Sequence, residues 1–344
     1  MTAEHRRGAP PPTPPRSDGG GERGGELFFL DLVRDDLERV EAILRELPAG
    51  HHRAISVAVD HLVGGGGKRL RPALVLLSAH LCDADIDRSI LAAAAFEMLH
   101  TATLVHDDLI DGALMRRGVE TLNANWSPAA TVLTGDYIFA HAAHLISQAD
   151  SLRLMQRFCE TLMTICNGEI RQVFEGRRHH LGRREYERRV YAKTASLIAL
   201  CTEAGAILSG LGEMARRALR AYGEHLGLAF QIVDDVLDFV SDEEMLGKPV
   251  GSDLRQGLVT LPLCFFLEVE SDHPAVRRVL QGDAFDDVVQ EAVRAVAGSS
   301  AIEQALDVAR QHADRARQTL DQLSPSSYKA ALMDIADFTV RRGF

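Results

Sequence analysis

Two acidic stretches carry the side chains best suited to chemistry. The first, 96–118, reads FEMLHTATLVHDDLIDGALMRRG, with Asp107, Asp108 and Asp111 followed at once by Arg116 and Arg117. On an α-helix, Asp107 and Asp111 stand four residues apart on one face. Two stacked carboxylates repel unless a cation lies between them. Mg²⁺ suits such a place, because it binds one or two carboxylates, keeps waters and takes substrate phosphates. The two arginines could grip phosphate oxygens in bidentate fashion. A single acidic run is commonly just a solvated face. Here, however, 231–238 reads QIVDDVLD and repeats the pattern with Asp234, Asp235 and Asp238. Both copies end long apolar runs, where a carboxylate is expensive unless paired or metal-bound. Two such helix ends facing each other would hold Mg²⁺ ions with a diphosphate between them.

Basic residues cluster locally, as small anionic ligands require. The glycine run 64–67 leads into Lys68, Arg69 and Arg71. It fails the spacing of a Walker loop, because Leu62 stands at the first glycine position and Arg69 replaces Ser/Thr. Such a run can still gather basic side chains at a helix N-terminus, a good anion site. His100 lies seven residues before Asp107, two turns back on the same face. Lys193 and Thr194 interrupt an apolar helix, where a lysine by default snorkels to water. Arg177, Arg178, His179, His180, Arg183 and Arg184 read as a solvated loop.

The elements that must position these groups are helical almost throughout. Leu30, Leu32, Val33, Leu37, Val40, Ile43 and Leu44 recur at three- and four-residue steps. Segments near 54–63, 72–82, 87–111, 131–147, 151–175, 185–210, 213–241, 259–270, 285–297, 301–322 and 326–342 read as helices, and alternating strand patterns are scarce. Helices this apolar pack on one another, which predicts an all-α, single-domain bundle over 26–344. Residues 1–25, rich in Pro, Gly and Arg, read as a disordered tail without the apolar core of a signal peptide. The net charge of −11 argues against a nucleic-acid partner. No charge-free apolar run of membrane-spanning length is found, the nearest being 196–211 with Glu203 inside it. Five scattered cysteines without a CxxC pair read as reduced thiols of a cytoplasmic protein.

The chain resembles the trans-isoprenyl diphosphate synthases, or polyprenyl synthetases. Two Asp-Asp-x-x-Asp motifs, DDLID and DDVLD, are joined by GGKRLRP at 66–72, KTA at 193–195 and GKPVGSDLRQG at 247–257, all in the family's order. The resemblance implies an active cavity along the bundle centre and a homodimer. It implies Mg²⁺ held by Asp107, Asp111, Asp234 and Asp238, with Asp108, Asp235, Lys193, Thr194 and Gln231 in the catalytic set. Isopentenyl diphosphate would be held by Lys68, Arg71, His100 and Arg117. The allylic diphosphate, farnesyl or geranylgeranyl, would meet Arg116, Lys193, Thr194, Gln231 and Lys248. One departure is Leu258, where the family often has a lysine. Ala102, five residues before Asp107, stands where short-chain members tend to carry an aromatic floor, so a long all-trans product is expected. The alternatives are a farnesyl or geranylgeranyl diphosphate synthase, a class I terpene cyclase, or a non-catalytic partner subunit. The last two fit poorly with two intact motifs and a second diphosphate site.

Overall fold

Helix starts are fixed by particular side chains. Asp85 accepts from the Arg88 amide at 3.1 Å and opens the helix Ile86–Ile110. Ser127 accepts from the Ala130 amide, with Pro128 at the first helical position, and Ser326 caps Lys329 in the same way. Each such cap satisfies an orphan N–H and contributes about 1 kcal/mol. The computed structural model describes residues 28–46, 55–59, 69–116, 119–175, 182–241 and 250–342. After a 3₁₀ turn at Phe28–Val33, its helices are α1 (Arg34–Arg45), α2 (Leu70–Leu81), α3 (Ile86–Ile110), α4 (Pro128–Gln148) and α5 (Leu152–Glu175). Next come α6 (Arg183–Val190), a π-helical turn (Tyr191–Ala195), α7 (Ser196–Leu208) and α8 (Glu213–Val240). The C-terminal part holds α9 (Leu261–Val269), α10 (Pro274–Leu280), α11 (Asp286–Ala297), α12 (Ala301–Thr319) and α13 (Ser327–Arg341).

The all-α expectation holds, and most predicted segments fall within a few residues of these bounds. The segment expected at 54–63 is described only over 55–59, which is helical, and the 1–25 tail lies outside the described residues. The helix Pro274–Leu280 was not anticipated, nor was a short antiparallel pairing of Met115–Arg116 with Val119–Glu120. The most membrane-like helix is Ile86–Ile110, not 196–211, and 67% of its apolar window is buried within the protein. It is a core helix for a compositional reason. Ala92, Ala93, Ala94 and Ala95 are fully buried, and methyl-sized side chains let neighbouring helices approach closely. At the α2–α7 crossing, a Cβ on Gly205 would lie 2.3 Å from the Ser78 carbonyl carbon, so only glycine fits there. One core centres on α2, α3 and α7. A second, built from the end of α8 with α9–α12, seats the second acidic motif.

Candidate active site

The site is assembled around a widened turn. From Arg183 to Leu208 the chain is continuously helical, but Tyr191–Ala195 is a π turn. Such turns re-aim successive side chains and recur at functional positions. Here adjacent residues serve opposite sides. Lys193 Nζ stands 3.1 Å from Asp107 Oδ2 and 3.0 Å from Glu169 Oε1. Thr194 Oγ1 donates to Gln231 Oε1 at 2.8 Å. One turn therefore ties the first acidic helix end to the helix that carries the second. Glycines make this reach possible. A Cβ on Gly227 would lie 2.5 Å from the Ala195 Cα, and one on Gly168 would lie 2.7 Å from the Ala192 Cβ.

The first motif divides its carboxylates by environment. Asp107 faces Lys193, whereas Asp108 is buried and takes Arg116 at 2.8 Å from both Nε and Nη2. Burial raises the Asp108 carboxyl above its ordinary range, and Arg116 only partly opposes this. Asp111 closes α3, donating its amide to the Asp107 carbonyl at 2.8 Å. Burial also raises the carboxyls of Asp111 and Glu169, with Lys193 pulling both back. For Lys193, burial works against the charge, but Asp107 and Glu169 outweigh it and raise the pKa. A carboxylate cluster held this far from water is primed to gain from a divalent cation.

The second motif is divided still more sharply. Asp234 is half open and takes Arg342 Nη2 at 2.8 Å. The Arg342 guanidinium lies 3.6 Å from the Phe230 ring centroid and donates to the Phe230 carbonyl at 2.7 Å. Asp235 is buried, accepting from the Tyr186 hydroxyl at 2.6 Å and from Gln231 Nε2 at 2.9 Å. Its pKa is raised, chiefly by burial and then by Asp253. Asp238 is also buried, accepting from Ser252 Oγ at 2.9 Å and the Asp253 amide at 3.1 Å. It caps the short turn Ser252–Arg255. Each of its oxygens keeps a further lone pair, so its expected role as a metal ligand is compatible with these bonds.

Of the remaining expected site residues, Lys68, Arg117 and Lys248 lie outside the described residues, as do 177–180 of the basic cluster. Arg183 starts α6, pairs with Glu268 and stacks on Phe265. His100 is half-buried on α3. Arg71, in the first turn of α2, has a buried Nε that meets no acceptor among the described residues. A cavity of about 490 Å³ opens beside Asp111 and is lined by Arg171, Gln172, Tyr191, Gln256 and Leu258. Glu169, Tyr186 and Arg342 were not named as site residues. Only Arg342 left a signal in the sequence, where it and Arg341 form a basic pair that could help close the diphosphate end.

The donor set suits a hard divalent cation. Asp107, Asp111 and Asp234 offer carboxylate oxygens, two of them already facing cationic side chains. Among the described residues, no three His, Cys, Asp or Glu side chains converge into a closed cage.

The polyprenyl synthetase pattern matches residues 52–296. Over 92% of the chain and 98% of the relative, the sequence is 38% identical to heptaprenyl diphosphate synthase component 2 of Geobacillus stearothermophilus. The fold superposes on a Caulobacter crescentus polyprenyl synthase, complexed with calcium and isoprenyl diphosphate, with a TM-score of 0.86 and 34% identity. That overlap covers 94% of this chain and 99% of the other. A decaprenyl diphosphate synthase from Rhodobacter capsulatus follows with a TM-score of 0.85 and 33% identity, over 92% and 98% of the two chains.

Proposed function

This chain belongs to the polyprenyl synthetase family, and from that premise we propose that it lengthens an allylic diphosphate with isopentenyl diphosphate, head to tail, into a long all-trans polyprenyl diphosphate. The observation that carries the reading is the π turn linking two acidic helix ends through Lys193 and Thr194. Asp107, Asp111 and Asp234 would hold Mg²⁺, which neutralises the allylic diphosphate and makes it a good leaving group. Lys193, between Asp107 and Glu169, is placed to meet the same diphosphate as its charge develops. The Thr194–Gln231 pair turns oxygen dipoles towards the allylic carbon that becomes cationic. Arg71 and His100, with Lys68 and Arg117, would orient isopentenyl diphosphate so that its double bond meets that carbon, and positioning supplies much of the rate. The departing diphosphate takes the proton, so no protein base is required. Farnesyl or geranylgeranyl diphosphate serves as primer. The heptaprenyl and decaprenyl synthases it resembles support a long product.

The test is incubation with Mg²⁺, farnesyl diphosphate and labelled isopentenyl diphosphate, followed by sizing of the products. The wild type makes a ladder longer than geranylgeranyl. Asp107→Asn and Asp234→Asn lose about a hundred-fold or more in turnover while keeping their fold, since the isosteric amide still offers an acceptor oxygen to Lys193 and Arg342. Near-wild-type elongation by either variant at saturating Mg²⁺ would sink the metal assignment.

Two copies are proposed to assemble through α5. On this helix Leu152, Cys159, Cys166 and Val173 recur every seven residues, with Met163 and Ile170 between, and all six are exposed. A second apolar face, Leu154, Phe158 and Ile165, is already buried in the core. A seven-residue apolar repeat is self-complementary and suits a symmetric helix pair. Sedimentation is expected to give a dimer, and the double variant Met163→Glu/Ile170→Glu a monomer. A wild-type monomer at micromolar concentration would refute this assembly. The cytoplasm is the compartment in keeping with five unpaired cysteines.

A further inference from the structure

Asp235 lies within the second acidic motif, yet its carboxylate points into the protein. The Tyr186 ring is fully buried, and its hydroxyl donates to Asp235 Oδ2 at 2.6 Å. The other carboxylate oxygen accepts from Gln231 Nε2 at 2.9 Å, one helical turn back on α8. Gln231 Oε1 in turn accepts from Thr194 Oγ1 at 2.8 Å. The four side chains form one directed chain of hydrogen bonds from the second core to the π turn.

The donor and acceptor inventory gives this chain a single sense. A side-chain amide has a donor end and an acceptor end, and Asp235 Oδ1 accepts from Nε2 both as a carboxylate and with a proton on Oδ2. Turning the Gln231 amide over would set its carbonyl oxygen against Asp235 Oδ1, two acceptors at hydrogen-bond distance. In a buried setting that contact is costly. Asp235 therefore fixes which end of the amide faces Thr194. Tyr186 fixes Asp235, because its hydroxyl is the donor that holds the far oxygen. The Tyr186 ring lies in the second core cluster, which also holds Val190 and Val236. The close approach at Gly227 brings α8 near enough for Thr194 to complete the chain.

We infer that Tyr186 and Asp235 are positioning residues, which hold the Gln231 amide with its carbonyl oxygen towards Thr194 and the carbon that becomes cationic. The inference rests on the prenyl-transfer reading above. A carbonyl dipole aimed beforehand at developing positive charge lowers the barrier without reorganising during the reaction. The amide's opposite end would raise it. On this account Asp235, unlike Asp234, is not a metal ligand, despite their adjacency in the motif.

The test compares Tyr186→Phe and Asp235→Asn with wild type in steady-state elongation. Equilibrium Mn²⁺ binding, read by electron paramagnetic resonance without substrate, runs alongside. Tyr186→Phe keeps the ring and is expected to lower kcat about ten- to a hundred-fold, as a small misplacement does. Both diphosphate KM values and the Mn²⁺ affinity stay within about a factor of two, because only transition-state stabilisation is lost. Asp235→Asn can present a donor to Gln231 and turn the amide over, so its kcat falls further, again with Mn²⁺ affinity kept. In a Gln231→Ala background, Tyr186→Phe adds nothing. Unchanged kcat in an active Tyr186→Phe enzyme overturns the inference. So does an equal loss in the Gln231→Ala background, or a fall in Mn²⁺ affinity for Asp235→Asn matching that of Asp234→Asn. A wild type that makes no elongation product would instead sink the prenyl-transfer reading, and the inference with it.

Discussion

Residues of one type do different work here according to what surrounds them. Of the two arginines flanking the start of α2, Arg69 is held by Glu41 and by Glu97 at 3.1 Å, with a left-handed backbone at φ 45°. It shapes the turn. Arg71 keeps a buried Nε without an acceptor among the described residues, near the positive end of the α2 dipole. A buried donor left unmade is costly, and an anionic ligand relieves it. Arg71→Ala is therefore expected to raise the KM for isopentenyl diphosphate about ten- to a hundred-fold, the worth of a charge-assisted bond of about 1.5–3 kcal/mol. The KM for the allylic primer should change less. Equal effects on the two, or a larger effect on the primer, in initial-rate measurements with each substrate varied, would overturn the assignment of Arg71 to the isopentenyl site.

At the scale of elements, α3 combines a carboxylate end with an apolar shaft, and product length is expected to depend on that shaft. Ala102 is buried one and a half turns before Asp107. Another turn and a half along, Phe96 is fully buried and stacks on Phe158 with centroids 6.3 Å apart, and Phe158 stacks on Phe139 at 6.2 Å. At 1.5 Å per residue, Phe96 lies about 16 Å from Asp107 along the axis. Phe96 is thus the first phenylalanine met along α3 from Asp107, and a chain growing past Ala102 would meet Leu99 and Met98 before it. Ala102→Tyr should remain active and make shorter products, separated by reverse-phase chromatography. The added ring also overpacks the core, for a loss of about 1–3 kcal/mol in stability. Unchanged product length in an active variant would place the floor on another helix.

Across the whole molecule, α8 and α12 meet at a pair of imidazoles. His225 Nδ1 and His312 Nδ1 stand 3.0 Å apart, so only one of them can carry the proton between them. Burial lowers the pKa of both, with Arg315 adding to the effect, and takes His312 down to about 4. In the unfolded chain a histidine titrates at its ordinary value of 6.5. Between these pKa values the unfolded state binds more protons, so stability rises with pH from 4 to 6.5 and is lost as acid is added. The slope from His312 reaches about 1.4 kcal/mol per pH unit. Urea melts from about pH 7.5 down to about pH 5 should show this loss, and His312→Phe should flatten it. An identical slope in the variant would assign the acid sensitivity to other groups.

The sequence by itself determined the helical class, the approximate helix bounds and the positions where charge would gather. Periodic apolar residues and caps such as Asp85 and Ser127 are local signals, readable from neighbours within one turn. The repeated acidic motif marked Asp107 and Asp234 for the same reason. Local signals could not distinguish the letters within a motif. Asp108, Asp235 and Asp238 look like Asp107 and Asp234 in one dimension, but the first three are buried and bound by protein donors. Which face of a helix points inward depends on the helices packed against it, and these are distant in sequence. Glu169, Tyr186 and Arg342 enter the site for that reason, from α5, α6 and the end of α13. Only the tertiary structure decided their roles, because the hydrogen bonds and ion pairs that define them span 24 to 108 residues, from the Lys193–Glu169 pair to the Arg342–Asp234 pair.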